Sequence, residues 1–451
     1  MKNKYGLLGL LLCIPVYAQP PSPSPDLTTI LERLSRLEQQ NRELTEQVRE
    51  LREQLGAKEP LTADAAANPA ASVPVTERLE LAERKIADVE QTHVATENRL
   101  PVTLTGMVLF NSFLNGKSSG GTQYPTIAAP VPGEATGGAS MRQTVLGLRA
   151  DGPTVWGAKV RGSIFMDFFG GNSGLNQYIR LRTASLDVSW KRTSVTFAFD
   201  KPLIAQRDPD SLAQVGVSPL TSAGNLWLWQ PQVRLEQRLV NRSTWGLKAQ
   251  ASVYQTAESS AGVGSEYSAT LAAARPGYQG RLELSAGSGG RRVEIAGGFH
   301  ASATHVEGLS IPSRIGTVDW LIRPFSRVEL TGTFFHGENV GVVGGLHQGI
   351  VVTEARNHYY AHAVQARGGW AQLKLTANRR TTFHLFSGQQ DDRNRDLAAG
   401  SVLKNQTHGG NVMFRWGPNL ITSFEATQTR STYATGTRLN PHYDLAFAYL
   451  F

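Results

Sequence analysis

Cysteine is all but missing from this chain. The single one, Cys13, lies in an apolar run near the N-terminus. Beyond that run there can be no disulfide and no thiolate chemistry, so an exported chain of this size must be held by a core, a closed sheet or self-association. Long hydrophobic runs are missing as well. After residue 18 no stretch of about eighteen apolar residues occurs, which excludes helical membrane spans. His-Glu-x-x-His, Gly-x-Ser-x-Gly and a phosphate loop are absent, so no metalloprotease helix, nucleophile elbow or nucleotide cradle can be argued. Nothing points to an enzyme, a cofactor, a metal or a nucleic-acid partner.

What is there falls into segments. Lys2 and Lys4 precede the apolar run Gly6 to Val16, and Val16-Tyr17-Ala18 offers a small-residue cleavage site. Residues 1–18 therefore read as a secretory signal peptide. Bulky Leu12 before Cys13 argues against a lipoprotein box, which would want a small residue there. Residues 19–25, QPPSPSP, form a stiff spacer. Residues 26–56 carry an unbroken heptad seam through Leu27, Ile30, Leu34, Leu37, Asn41, Leu44, Val48, Leu51 and Leu55. The spacing predicts a coiled coil roughly 43 Å long. Asp26 caps its start, and Gly56 and Pro60 end it. Asn41 fixes register, but the seam residues leave dimer and trimer both open. Residues 57–101 read as an Ala/Pro linker plus a short helix, which either extends the coil or lies against the C-terminal segment.

From Val102 the hydrophobic period becomes two. Val108 and Phe110 alternate with Leu109 and Asn111, Val233 and Leu235 with Arg234 and Glu236, Ile295 and Phe299 with Glu294 and His300. Alternation of apolar with charged residues suits a wall with lipid on one side and water on the other. In residues 178–190 the parity slips. Arg180 and Arg182 share it with Leu186, Val188 and Trp190, so either a bulge shifts the face or the register is misread. Short breaks near Asp151-Gly-Pro153, 191–194, 241–244, 287–290, 323–326, 377–380 and 417–419 interleave with long ones near 115–140, 169–177, 201–225, 256–266, 304–312, 337–357, 390–405 and 431–441. Seven short and eight long connections give sixteen strands, roughly 22 residues each with their connections. The fold class is an all-β membrane barrel of about sixteen antiparallel strands over residues 102–451, preceded by an α-helical coiled coil.

The third long break carries Lys201, Arg207, Asp208 and Asp210, then Leu212, Val215, Val217 and Leu220. An exposed loop has little use for such an apolar stretch. A loop folded into the lumen packs it on the wall and narrows the channel, with Lys159, Arg161, Arg180, Arg182, Arg234, Glu236 and Arg238 opposite. The alternative is a loop used for contact between protomers. The chain carries +8. The first 25 residues hold two lysines, and residues 26–101 hold ten basic against fifteen acidic, which leaves the barrel at +11. A mild anion preference results, unless many of these charges face lipopolysaccharide phosphates. Gly337–Gly345 reads as a flexible external loop. Residues 391–396 are an acidic cluster better read as solvated than as a divalent-ion site, and His358 and His362 merely share a strand face.

The final residues, Tyr443-Asp-Leu-Ala-Phe-Ala-Tyr449-Leu-Phe451, resemble the closing strand of outer-membrane barrels, whose insertion machinery recognises a C-terminal aromatic. That resemblance marks Tyr449 and Phe451 as an assembly signal. With the heptads, Arg180-Leu-Arg182, Asp208-Pro-Asp-Ser-Leu212, Gln230-Pro-Gln-Val-Arg234 and Phe334-Phe-His-Gly-Glu338, the chain resembles the DcaP-like porins. The resemblance implies a homo-oligomer, trimeric as in that family, in the cell outer membrane, a coiled coil in the periplasm, and passive diffusion of small, often anionic solutes through each protomer. Outer-membrane lipid and lipopolysaccharide would surround it. Two other readings are a tether that holds the envelope through its coil and, more remotely, an outer-membrane hydrolase, although no Ser/His pair with suitable spacing is found.

Overall fold

The computed structural model describes residues 102–171, 177–263, 275–288 and 290–451. The signal peptide, spacer, heptad seam and linker lie outside the described residues. The strands are β1 (Val102–Asn115), β2 (Thr136–Ser140), β3 (Val145–Val155), β4 (Ala158–Gly170), β5 (Tyr178–Ser189), β6 (Thr193–Asp200), β7 (Gln230–Asn241), β8 (Trp245–Gln255), β9 (Pro276–Ser288) and β10 (Arg291–Val306). They continue with β11 (Leu309–Phe325), β12 (Val328–Glu338), β13 (Ile350–Ala355), β14 (His358–Ala363), β15 (Gln365–Thr376), β16 (Thr381–Asp392), β17 (Lys404–Arg415), β18 (Leu420–Tyr433) and β19 (Gly436–Leu450).

Every wall strand pairs antiparallel with its neighbours, and β1 closes on β19 with Phe110 opposite Phe447 and Met107 opposite Leu450. β2 and β3 lie end to end along β1, against residues 111–115 and 102–107 respectively. They count as one interrupted strand, so the wall is a sixteen-stranded closed barrel. Closure leaves no unpaired edge, the condition for a sheet to sit in hydrocarbon. β13 and β14 form a separate hairpin between β12 and β15.

The two faces follow from the period of two. Val108, Phe110, Phe197, Val233, Leu235, Ile295, Phe299, Phe334, Leu445, Phe447 and Tyr449 are exposed on the outer face. Their neighbours Leu109, Asn111, Glu294, His300, Ala446 and Asp444 are buried inside. The slip in residues 178–190 is a bulge. Thr183 pairs with Phe165 and Leu181 with Met166, so Arg182 is the extra residue. It keeps Arg180 and Arg182 on the inner face while Leu181 and Leu186 face outward.

Three connections differ from the sequence reading. The first hairpin turns at Trp156-Gly157, both with positive φ, and not at Asp151-Gly-Pro153. The Gly-Pro pair instead sits in an irregularity of the β3–β4 ladder between Asp151 and Thr154. The expected long breaks near 304–312 and 431–441 are two-residue turns, Glu307-Gly308 and Ala434-Thr435, between long strands. Glu307-Gly308 has φ of 48° and 73°, the mirror-image turn that matches strand twist. Residues 340–343 are buried in a short 3-10 turn. The Gly-rich stretch is therefore packed and is not a free loop, because Val340, Val342 and Val343 join a core with Ile204, Leu226, Val306, Ile311 and Phe335.

The last residue completes closure. Phe451 exchanges backbone hydrogen bonds with Gly106, N–H to O at 2.9 and 3.2 Å. Its ring lies over that glycine, 2.8 Å from where a Cβ would stand. A Cβ there would also fall 2.4 Å from the Val145 carbonyl oxygen of β3, so Gly106→Val is expected to push both that strand and the ring and to strain the seam by about 1–3 kcal/mol. Urea titration of the folded barrel should show a lowered midpoint, and an unchanged midpoint would mean that the seam has slack.

Candidate functional site

Residues 201–229, between β6 and β7, cross the lumen. The sequence explains why. Arg207 and Asp210 are placed to meet opposite charges, and Leu212 and Val215 have apolar wall to cover. Leu212 and Val215 pack on Leu109, Ile421, Ala446 and Ala448, with Met107, Met413 and Leu450 at the margin. These wall residues come from β1, β17, β18 and β19. Their inward faces are unusually apolar below the loop, and the loop seals that side.

Polar anchors fix the crossing. Arg207 donates to Asp319 at 2.8 Å and to Glu294 at 2.9 Å. Asp319 is also held by Arg281 through two bonds of 2.8 Å. Two strands further round the wall, on β15, Gln372 accepts from the Asp210 N–H at 2.7 Å and Lys374 pairs with the Asp210 carboxylate at 3.2 Å. The Ser211 hydroxyl donates to Glu425 at 2.6 Å. Asn111 and Gln143 donate to the carbonyls of Leu212 and Ala213, both at 2.8 Å. The Gln143 side-chain oxygen accepts the N–H groups of Val215 and Gly216 at 2.8 and 2.7 Å. A loop tied to both sides of a barrel is a fixed crossbar.

Arg180 and Arg182 belong to this scaffold. Both pair with buried Asp167, at 2.7 and 2.9 Å, and both donate at 2.6 Å to loop carbonyls, of Gly216 and Val215. Trp229 lies under both guanidinium groups at 5.1 Å. Arg234 pairs with Asp200 at 3.1 Å, and Lys201 pairs with Asp208 within the loop. Asp208 also accepts from Ser218 at 2.9 Å and Asn225 at 3.0 Å.

The open space lies along the other wall. A recess of about 370 Å³ is lined by Phe165, Arg182, Lys201, Asp208 and Trp229 among others. A second, of about 330 Å³, shares Asp200 and Lys201 with it and adds Arg234, Glu236 and Lys248. A third, of about 520 Å³, shares Glu236 and Lys248 with the second and reaches the short turn at 242–244 past Arg238 and Arg292. Shared linings make these one descending path from the crossbar to the short-turn mouth. Its wall is a ladder of opposite charges. Lys248 sits 3.5 Å from Glu236 and 3.1 Å from Glu283, Arg281 is 2.8 Å from Glu283, and Arg238 is 3.7 Å from Glu236.

Of the residues singled out in the sequence, the structure gathers Arg180, Arg182, Lys201, Arg207, Asp208, Asp210 and Arg234 around the loop. Glu236 and Arg238 lie further down the path. Lys159 and Arg161 do not join this group. Arg161 stands six residues along β4 from Asp167, about 20 Å nearer the short-turn end, and pairs with Asp151 at 2.8 Å in the open. Asp167, Asp200, Asp319, Gln143, Glu425 and Trp229 are not singled out by the sequence, and Glu294 is marked there only as a residue of the wet face. Inward parity was the available signal for those on strands, but parity does not say which residues meet across a lumen.

At the loop end, residues 116–135 also fold inward. Tyr124 is buried against Phe113 and Phe169, and burial pushes its hydroxyl above the usual phenol range. Within 391–396 the carboxylates face separate partners: Asp391 meets Arg367, Asp392 accepts from Gln348, and Asp396 meets Arg393. No group of three or more candidate ligands converges among the described residues. His362 contacts the carbonyl of Asp396 at 3.0 Å and His358 that of Arg356 at 2.9 Å, each apart from the other.

No protein-family model matches the chain, and no curated protein matches its sequence. Solved structures do match. The outer membrane channel DcaP of Acinetobacter baumannii is 15% identical with a TM-score of 0.65, over 80% of this chain and all of that one. An anion-selective porin from Comamonas acidovorans is 12% identical over 78% of this chain and all of its own, with a TM-score of 0.48, which is too low to carry an argument. The resemblance read from the sequence therefore holds in the fold: this chain is a sixteen-stranded barrel similar to the DcaP outer membrane channel.

Proposed function

We propose that the chain is an outer-membrane porin, a passive channel for small hydrophilic solutes with a mild preference for anions. The observation that carries this reading is the charged path beside a crossbar anchored on opposite walls. One side of the lumen is sealed by apolar packing, and the other is lined by water-seeking groups. A crossbar limits solute size, and fixed charges beside it set the field a solute meets. Arg182, Lys201 and Arg234 supply the positive charge at the crossbar, with Arg238 and Arg292 below. Partners Asp167, Asp200, Asp208 and Glu236 offset much of it, so the preference is modest. On this reading the short-turn mouth faces the periplasm, where the heptad seam of residues 26–56 would join protomers, in a trimer by resemblance. Phe451 and Tyr449 would be read by the insertion machinery. Among the described residues, the tether and hydrolase readings gain no site residue.

Reversal potentials across a planar bilayer under a salt gradient test the proposal. Stepwise current with a modest anion preference is expected. Lys201→Glu together with Arg234→Glu should move the preference to cations. Absence of current from correctly folded protein would support the tether instead, and a cation preference in the unaltered protein would overturn the selectivity.

A further inference from the structure

The outer wall is not uniformly apolar. On β11, β12 and β15 to β18 the outward residues change character along a single line. Below it stand Val318, Phe334, Leu385 and Phe424, all exposed. Above it stand Arg314, His336, Arg367, Gln389, His408 and Arg430, polar residues on the same outward parity. The line crosses each ladder at matching register: Gly316 is opposite His336, which is opposite Arg367, which is opposite Asp391.

A groove of about 310 Å³ sits across this line. Its lower rim is aromatic, from Trp320 and Phe334, and its upper end is polar, from Arg367, Gln389 and His408. Its floor is bare backbone and small side chains at Gly369 and Ala371. Small residues make the hollow: a Cβ at Gly332 would fall 2.5 Å from the Trp320 ring, so that ring lies over uncovered backbone. Arg367 projects with 67% of its side chain exposed, and among the described residues its ion pair is with Asp391 at 3.0 Å. Arg314, 77% exposed, makes a long contact of 3.9 Å to Glu338. The outward cations at this rim, Arg314, Arg367, Lys404 and Arg430, outnumber the carboxylates of Asp391 and Glu338.

We propose that this groove docks a phosphorylated lipid of the loop-side leaflet. The acyl chain lies between Trp320 and Phe334 over Ala371, and the phosphate meets Arg367, with His408 beside it and the cationic rim around it. Charge complementarity and the position of the groove at the apolar–polar boundary select this occupant. A bare acyl chain would not need the upper end, and a soluble phosphate would not need the aromatic rim. Cations near a lipid surface attract anionic headgroups with about 1 kcal/mol each. The inference rests on the barrel's spanning a membrane, not on its conducting.

The test uses the full chain, purified as its native assembly and titrated with bisphosphorylated lipid A or with the same lipid stripped of phosphate, bound lipid being counted by native mass spectrometry. The phosphorylated form is expected to bind more tightly. Arg367→Gln should weaken it about five-fold, the ratio that corresponds to one such cation, without affecting the stripped form. Ala371→Leu should weaken both forms by filling the floor. Both variants should keep normal conductance and the heat-modifiable mobility of a folded barrel. Equal binding of the two lipids, or indifference to both substitutions, overturns the proposal. So does loss of the oligomer in either variant, which would assign the groove to contact with a second copy of the chain.

Discussion

Asp319→Ala is expected to lower the unfolding free energy by about 3–5 kcal/mol, the cost of stripping a buried cation of its partner. Asp319 is 1% exposed and holds two guanidinium groups, from Arg281 and Arg207. Its removal would leave Arg281, also 1% exposed, with Glu283 as its remaining ion-pair partner, and would free one of the two arms of Arg207. Arg207→Ala is the informative contrast. It cuts the loop's anchor but leaves the Arg281–Asp319 pair whole, so the loss should be much smaller. Equilibrium urea unfolding in detergent measures both. A loss under about 1 kcal/mol for Asp319→Ala would show that water reaches these charges freely and that the cluster contributes little to the wall.

Replacing residues 210–217 by a short Gly-Ser linker should at least about double single-channel conductance, since pore diameter at the narrowest point limits flow. The replacement removes the Asp210 and Ser211 anchors, the apolar seal of Leu212 and Val215, and the carbonyls held by Arg180 and Arg182. Wall strands keep their own ladders, so the barrel should still fold. Leu109, Ile421, Ala446 and Ala448 would then face open lumen, and a modest drop in thermal stability is expected with the gain in current. Unchanged conductance would mean that the crossbar is not the narrow point and that the restriction lies among the inward-folded segments at the loop end, such as residues 340–343.

The sequence by itself determined the wall. A period of two gave each residue's face on a strand, because face follows from parity, and fifteen breaks, seven short interleaved with eight long, gave sixteen antiparallel strands. The bulge at Arg182 was even visible as a slip of parity. Two connections were misread as long, since Glu307-Gly308 and Ala434-Thr435 lie amid polar residues that look like loop but extend the strands past the apolar band. The inward course of the loop expected over residues 201–225 was partly legible, because its apolar residues must cover something, although contact between protomers would have covered them as well.

Only tertiary structure decided what meets across the lumen. Arg207 reaches Asp319 over 112 positions of sequence, and Ser211 reaches Glu425 over 214. No periodicity encodes such pairs, because curvature of the closed sheet, and not spacing along the chain, brings the walls to a loop's two sides. The same closure turned Arg180 and Arg182 from candidate solute contacts into ligands of Asp167 and loop carbonyls, and left Lys159 and Arg161 near the opposite mouth. Parity is a local property of extended backbone, whereas a constriction is a property of the closed barrel.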